Sequence, residues 1–110
     1  MVAVSSELVF TAPLWRWSAR QETRDPSAWC FVTLPPEVSE EVRLVAGEPR
    51  GFGSVRVRVR TGGSQWDTSV FPDAESGCFV LPVKKAVRTA EGIEEGDGVT
   101  VALRVREDAP

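Results

Sequence analysis

Between Ser54 and Val70 the chain reads "SVRVRVRTGGSQWDTSV", with arginine and valine taking turns along the first arm. Strict alternation is the period of a half-buried strand, because successive side chains leave opposite faces of a sheet. Gly62-Gly63 supplies the positive φ that a tight two-residue turn needs, so the two arms form a hairpin in which the numbers of facing positions add to 125. That register sets Val59 opposite Trp66, Val57 opposite Thr68 and Val55 opposite Val70 on the core side. Arg60, Arg58 and Arg56 then face Gln65, Asp67 and Ser69 on the wet side, so one arginine of the three has a carboxylate opposite it.

The other elements follow from the same patterning. "ELVFTAPLWRWS", Glu7 to Ser18, is rich in aromatic and branched residues and predicts a first strand in which Pro13 marks an edge or a bulge. "ARQETRDPSA", over 19–28, has no apolar period and carries an Asp-Pro turn signal, which predicts an exposed loop. "WCFVTL" is a nearly continuous apolar run of strand type, stopped by Pro35 and Pro36. Val38, Val42, Val45 and Ala46 then recur at helical spacing, with Glu37, Glu40 and Glu41 early in the segment and Gly47 at its end. Beyond the hairpin come the acidic loop "DAESG", the short strand "CFVLP", a helix with Val83, Ala86, Val87 and Ala90 on one stripe that stops at Gly92, and a last strand, "GVTVALRVR". Trp29 and Trp66 sit beside apolar strand residues and are expected in the core.

Two of these passages echo each other. "CFVTLP" and "CFVLP" each form a strand that ends at proline and gives way to an amphipathic helix, and Cys30 and Cys78 stand 48 positions apart. The chain therefore reads as internally duplicated, with two units packed around a pseudo-twofold axis in one β-rich barrel.

Composition narrows the classes. A chain of 110 residues is one domain, 1–110, large enough for a single core without disulfides, and 42% hydrophobic with 26% charged residues is ordinary globular composition. No apolar run approaches the roughly 20 residues that cross a bilayer, and the N-terminus lacks a basic leader with a cleavage site, so a soluble cytoplasmic protein is expected. Cys30 and Cys78 lie in apolar contexts and are expected as buried, reduced thiols. A net charge of −3 is not the balance of a dedicated nucleic-acid binder.

The C-terminal half, "GCFVLPVKKAVRTAEGIEEGDGVTVAL", resembles a bacterial and archaeal family known as domain of unknown function 1905. The matching positions are Phe79, Leu81, Pro82, Val83, Lys85, Arg88, Gly96, Asp97, Val99 and Val101, and "WCFVTLP" and "GGSQWDTSVFP" upstream fit the same pattern. The chain departs from it at Val59, where the family commonly has glycine, and at Gly62-Gly63, where it commonly has Asn-Gly. The resemblance implies a small split β-barrel, similar to the one that bacterial transition-state regulators and antitoxins assemble by dimerisation. Together with the duplication, the expected fold is mainly β: a single double-split-type β-barrel with two short α-helices, closed by one chain and running as a monomer. The family carries no assigned activity, so the resemblance implies none.

Candidate chemistry is sparse. The chain has no histidine, no tyrosine, no Gly-rich phosphate loop and no Cys or acid cluster at metal-ligand spacing, so no catalytic residue, metal or cofactor is expected. Asp97, in a Gly-Asp-Gly turn, is expected to bond nearby backbone amides. Lys84, Lys85 and Arg88 lie off the apolar stripe of the second helix, where Lys84 and Arg88 are one turn apart. Their ordinary role is a solvated helix face; their functional role would be to hold a ligand. Trp15 and Trp17 share one face of the first strand and serve either as barrel core or as a stacking platform for a planar ligand. These five residues are the candidate ligand site of a non-enzymatic binding module for a small molecule or a protein partner. The alternative is nucleic-acid binding by Arg56, Arg58 and Arg60, against which stand the net charge and the reading of that comb as a solvated strand face.

Overall fold

The computed structural model describes residues 7–17, 29–46 and 53–106. Seven strands and two helices follow in the order β1 (Leu8–Pro13), β2 (Trp15–Arg16), β3 (Cys30–Thr33), α1 (Pro36–Ala46), β4 (Val55–Thr61), β5 (Ser64–Asp73), β6 (Cys78–Pro82), α2 (Lys85–Glu91) and β7 (Gly98–Val105). The expected loop over 19–28 and the helix stop at Gly47 lie outside the described residues.

All strand pairs are antiparallel and run in the order β1-β7-β4-β5-β6-β3-β2. The first and last members of that order are one stretch of chain, because the expected single first strand is broken at Leu14. Its amide donates to the Asp97 carbonyl at 2.9 Å and its carbonyl accepts from the Gly96 amide at 2.8 Å. On one side of this break the chain pairs with β7, on the other with β3, and so it carries the sheet around a corner to make a nearly closed barrel. The second corner is β5, which pairs with β4 as far as Val70 and with β6 from Phe71.

The β4–β5 hairpin has the register read from the sequence, Val55 opposite Val70 through Thr61 opposite Ser64. Val57, Val59, Trp66 and Val70 point into the core, and Arg56, Arg58 and Arg60 point out. The left-handed φ falls at Gly62, +58°, where an added Cβ would run into the Glu91 carboxylate at the end of α2. Glu91 also accepts a hydrogen bond from the Ser64 hydroxyl at 2.7 Å, so the turn and the helix end are tied together. Helix α2 stops at Gly92 in the αL conformation, as its sequence predicts. Its stripe is narrower than expected: Val87 is buried, whereas Ala86 and Ala90 are exposed and Val83 packs inward just before the helix begins.

The internal duplication is a property of the topology. Exchanging β1/β2 with β5, β3 with β6 and β4 with β7 leaves every neighbour relation in the strand order unchanged. The equivalence is a shift of 49 positions, from Pro36 to Lys85 at the two helix starts, and not the 48 of the Cys-Phe-Val echo. A shift of 49 matches Cys30, Val32 and Leu34 with Phe79, Leu81 and Val83, all six of them buried. The 48-residue echo would match Phe31, on the outer face of β3, with Phe79, which packs in the core. Two pairs of hydrogen bonds repeat at the same shift. The Leu34 amide donates to Phe79 and the Val83 amide to Cys30, both at 2.9 Å. The Ser39 hydroxyl donates to the Leu34 carbonyl at 3.3 Å, and Arg88 Nε donates to the Val83 carbonyl at 3.1 Å.

Candidate functional site

A split in the barrel makes the site. The Trp66–Thr68 part of β5 pairs with β4 along one edge, while β6 joins the other edge of β5 only from Phe71 onward. In the space this leaves, the end of β6 and the start of α2 face β5 across a pocket of about 310 Å³. Trp66, Asp67 and Thr68 line it from β5, Cys30 from β3 with Trp29 just before it, and Pro82 through Lys85, with Arg88, from the third side.

Three of the five candidate ligand residues therefore meet in one place. Lys84 holds the extended position before α2, Lys85 is its first residue, and Arg88, half-buried, is turned back by its bond to the Val83 carbonyl. Trp15 and Trp17 do not line this pocket. Trp15 is half-buried on the outside of the barrel, stacked on Phe31 with ring centroids 5.0 Å apart, and its Nε1 donates to the Thr33 hydroxyl at 2.9 Å. Trp17 lies just past the end of β2, exposed, with its amide donating to the Trp29 carbonyl at 2.9 Å.

Trp29 links the two groups, and the expectation that it packs in the core is wrong. Cys30 and Val32 occupy the inner face of β3, so Trp29 and Phe31, at the alternate positions, must face outward. Trp29 is 64% exposed, stacks on Phe31 at 6.1 Å and forms one wall of the pocket. It thus ends an aromatic stack that runs Trp15, Phe31, Trp29. Trp66 is buried as expected and supplies a second aromatic wall. Parity along "WCFVT" from an inward Cys30 is the signal in the sequence that would have placed Trp29 on the surface.

Asp67 joins the pocket to the arginine comb. Arg58 grips it with two hydrogen bonds, Nε to Oδ1 at 2.8 Å and Nη2 to Oδ2 at 3.3 Å, and Arg106 Nη1 adds a third at 3.1 Å. The Arg58 hydrogen bond, with the Arg58 and Arg106 charges behind it, holds the Asp67 carboxyl below its ordinary range and outweighs partial desolvation. Arg58 itself is raised, chiefly by the same bond. Elsewhere on the comb, Arg60 pairs with Glu7 at 3.3 Å, and Arg56 is exposed opposite Ser69. The comb is the outer face of a strand, on which Asp67 holds the guanidinium of Arg58 and Glu7 that of Arg60.

The remaining chemistry-bearing residues have local duties. Asp97 accepts a hydrogen bond from the Glu94 amide at 2.9 Å, which is the turn role its sequence suggests. Both thiols are free, Cys30 buried and Cys78 only half-buried, which corrects the expectation that both would be inaccessible. Cys78 opens β6 opposite Asp73, where the barrel wall ends. Among the described residues, no three His, Cys, Asp or Glu side chains are grouped to hold a metal ion, and no helix is long and apolar enough to cross a membrane.

The sequence model of a family described as a domain of unknown function (DUF1905) matches residues 10–103, which takes in both halves of the barrel and every lining residue of the pocket. No curated protein matches the chain at a significant level.

Proposed function

Because the chain belongs to the DUF1905 family, whose description assigns no activity, its role must be read from its own residues, and we propose that it is a non-enzymatic, cytoplasmic, monomeric binding module for a small ligand. The observation that carries this reading is the meeting of Lys84, Lys85 and Arg88 with Trp29 and Trp66 around a single pocket at the split of the barrel. Its volume of about 310 Å³ stands at the lower end of the range for small-molecule sites. The walls combine what such sites need, an apolar aromatic surface for burial and a few polar groups for orientation. The comb of Arg56, Arg58 and Arg60 is the weaker candidate, because Arg58 and Arg60 are already engaged with Asp67 and Glu7.

A thermal-shift screen against a metabolite library tests the proposal. A ligand at about 100 times its dissociation constant adds about 2.7 kcal/mol to the folded state, which raises the melting temperature by roughly ten degrees in a domain of this size. The expected result is a hit whose shift is lost in a Lys84→Gln/Lys85→Gln variant. A library without hits, or hits that ignore the two lysines, would defeat the proposal.

A further inference from the structure

Pairing in the hairpin leaves one strand edge open along this pocket. The Arg106 amide donates to the Arg56 carbonyl at 2.9 Å, so the alternate residues Arg56, Arg58 and Arg60 turn their backbone groups toward β7, and Val57 and Val59 turn theirs toward Thr68 and Trp66 on β5. Gln65, Asp67 and Ser69, which alternate with these, direct their N–H and C=O groups off the opposite edge of β5. That edge meets β6 only from Phe71 onward. Among the described residues, no hydrogen bond reaches the backbone groups of these three on the open edge.

The other lip of the pocket is made so that it cannot close the gap. On β6, Phe79 accepts from the Leu34 amide and the Val83 amide donates to Cys30, so alternate residues serve β3 and leave Cys78, Val80 and Pro82 to face β5. Val80 finds Phe71. Pro82, the next in line, has no N–H, and the Lys84 carbonyl after it is taken by the Val87 and Arg88 amides, at 3.0 and 3.1 Å, as α2 begins. Continued in the same register, Pro82 falls opposite Ser69 and Lys84 opposite Asp67, and the pocket opens between Lys84 and Asp67. Residues 65–69 also hold neither the proline nor the lysine with which open edges are usually shielded.

A row of unpaired N–H and C=O groups matches one kind of ligand, another extended backbone, whose main-chain bonds give affinity while its alternate side chains give specificity. One face of such a strand would lie over Trp66 and Thr68, which line the pocket from the inner face of β5, where Thr68 is only half-buried. The other face would meet the exposed Lys84 and Lys85 on the far lip. We infer that the ligand of this pocket is a short acidic peptide, one per chain, which pairs antiparallel with the open edge of β5 and sets its carboxylates against Lys84 and Lys85. This inference rests on the reading of the pocket as the binding site and adds the class of ligand to it.

The test titrates the full chain with the capped pentapeptide Ac-Glu-Val-Thr-Val-Glu-NH2, whose valines share one face and whose central threonine puts a neutral side chain opposite Asp67, and with its counterpart carrying lysine in place of glutamate. Calorimetry and amide hydrogen exchange followed by NMR are the readouts. The acidic peptide is expected to bind at one per chain, at least tenfold tighter than the basic one, and at saturation to slow exchange of the Gln65, Asp67 and Ser69 amides at least tenfold. Methylating its central amide nitrogen, which faces β5, should cost at least tenfold in affinity, and methylating that of the following valine, which faces away, clearly less. The Lys84→Gln/Lys85→Gln variant alters two exposed side chains and is expected to fold, as its circular dichroism would verify, and to weaken binding at least tenfold. A basic peptide that binds as well, or acidic binding unaffected in the double lysine variant, would overturn the acidic class. Binding without protection of the three amides, or with equal losses from the two methylations, would overturn the strand pairing. An acidic peptide that does not bind overturns the inference, and the metabolite screen then separates it from the reading beneath: hits lost in the double lysine variant leave the pocket as a binding site, and a screen without hits takes both down.

Discussion

Ser39 and Arg88 occupy the same position in the two halves of the barrel, and each reaches back five residues to a backbone carbonyl, Leu34 for the serine and Val83 for the arginine. The serine has a second partner, since its oxygen accepts from the Phe79 amide at 3.0 Å across the seam between the halves. Ser39 is buried, so Ser39→Ala would leave the Phe79 amide without that acceptor. A loss of about 1–3 kcal/mol is expected, read by chemical denaturation, with the slope unchanged. A loss within error of zero would mean that the seam is satisfied in another way.

Gly62→Ala should destabilise for two separable reasons. The residue sits at φ +58°, which alone costs a side-chain-bearing residue about 1–3 kcal/mol, and the new methyl would meet Glu91. In a Glu91→Ala background the second reason disappears. The cost of Gly62→Ala is therefore expected to shrink there without vanishing, a difference that a double-mutant cycle measures.

Acid should act through Asp67. Its carboxyl is lowered in the folded protein, so the stability it contributes is complete above its unfolded pKa, about 3.9, and is lost as pH falls through the lower folded value. Asp67→Asn is expected to flatten the stability profile below about pH 4 and leave the shape between pH 6 and 8 unchanged. Replacing Arg56, Arg58 and Arg60 together by Gln should shrink the same acid limb, leaving the part that Arg106 supports, and yield a folded protein. An unchanged acid limb in both variants would show that other carboxylates dominate it.

The thiols should separate kinetically. Cys78 is half-buried at the start of β6 and Cys30 lies in the core, so a thiol reagent applied to the native protein is expected to modify one cysteine quickly and the other only on unfolding. Peptide mapping identifies which. Equal rates for the two would contradict their placement.

One chain supplies both sheet edges and the stretch that joins them, so light scattering should give the mass of a monomer, 12.0 kDa. A stable dimer at micromolar concentration would mean that strands or the pocket are shared between copies.

The hairpin was legible in the sequence because Gly62-Gly63 fixes the turn and alternation fixes the faces, and the two together leave one register. The helices were legible from spacing, and α2 also from its stop at Gly92, although Ala86 and Ala90 were credited with a burial that Val87 has and they lack. Identity misled where geometry would not have. The repeated Cys-Phe-Val drew attention to a shift of 48, which inverts inside and outside, whereas burial parity requires 49. The break at Leu14 had no local signal beyond Pro13 beside it, since its cause is a turn at Gly96 and Asp97 far along the chain. Half of the site was visible as the basic residues of α2. The other half was not, because Trp29 and Trp66 have similar neighbours in sequence and differ only in the face their strands turn to the core.

The stretch that serves both ends of the strand order has a consequence for synthesis. Leu8 pairs with Leu103, and Pro13 with Gly98, so β1 is made long before its partner β7 and waits for it. Contacts between such distant residues slow folding because a long loop must close before they form. While the chain grows, β4 and β5 can already pair as a local hairpin, but the valine-rich inner face of β7 and its two partners, β1 and β4, come together only after β7 itself has been made. Until then the unfinished barrel exposes strand edges, and its productive lifetime begins at the moment the last strand slides between the first and the fourth.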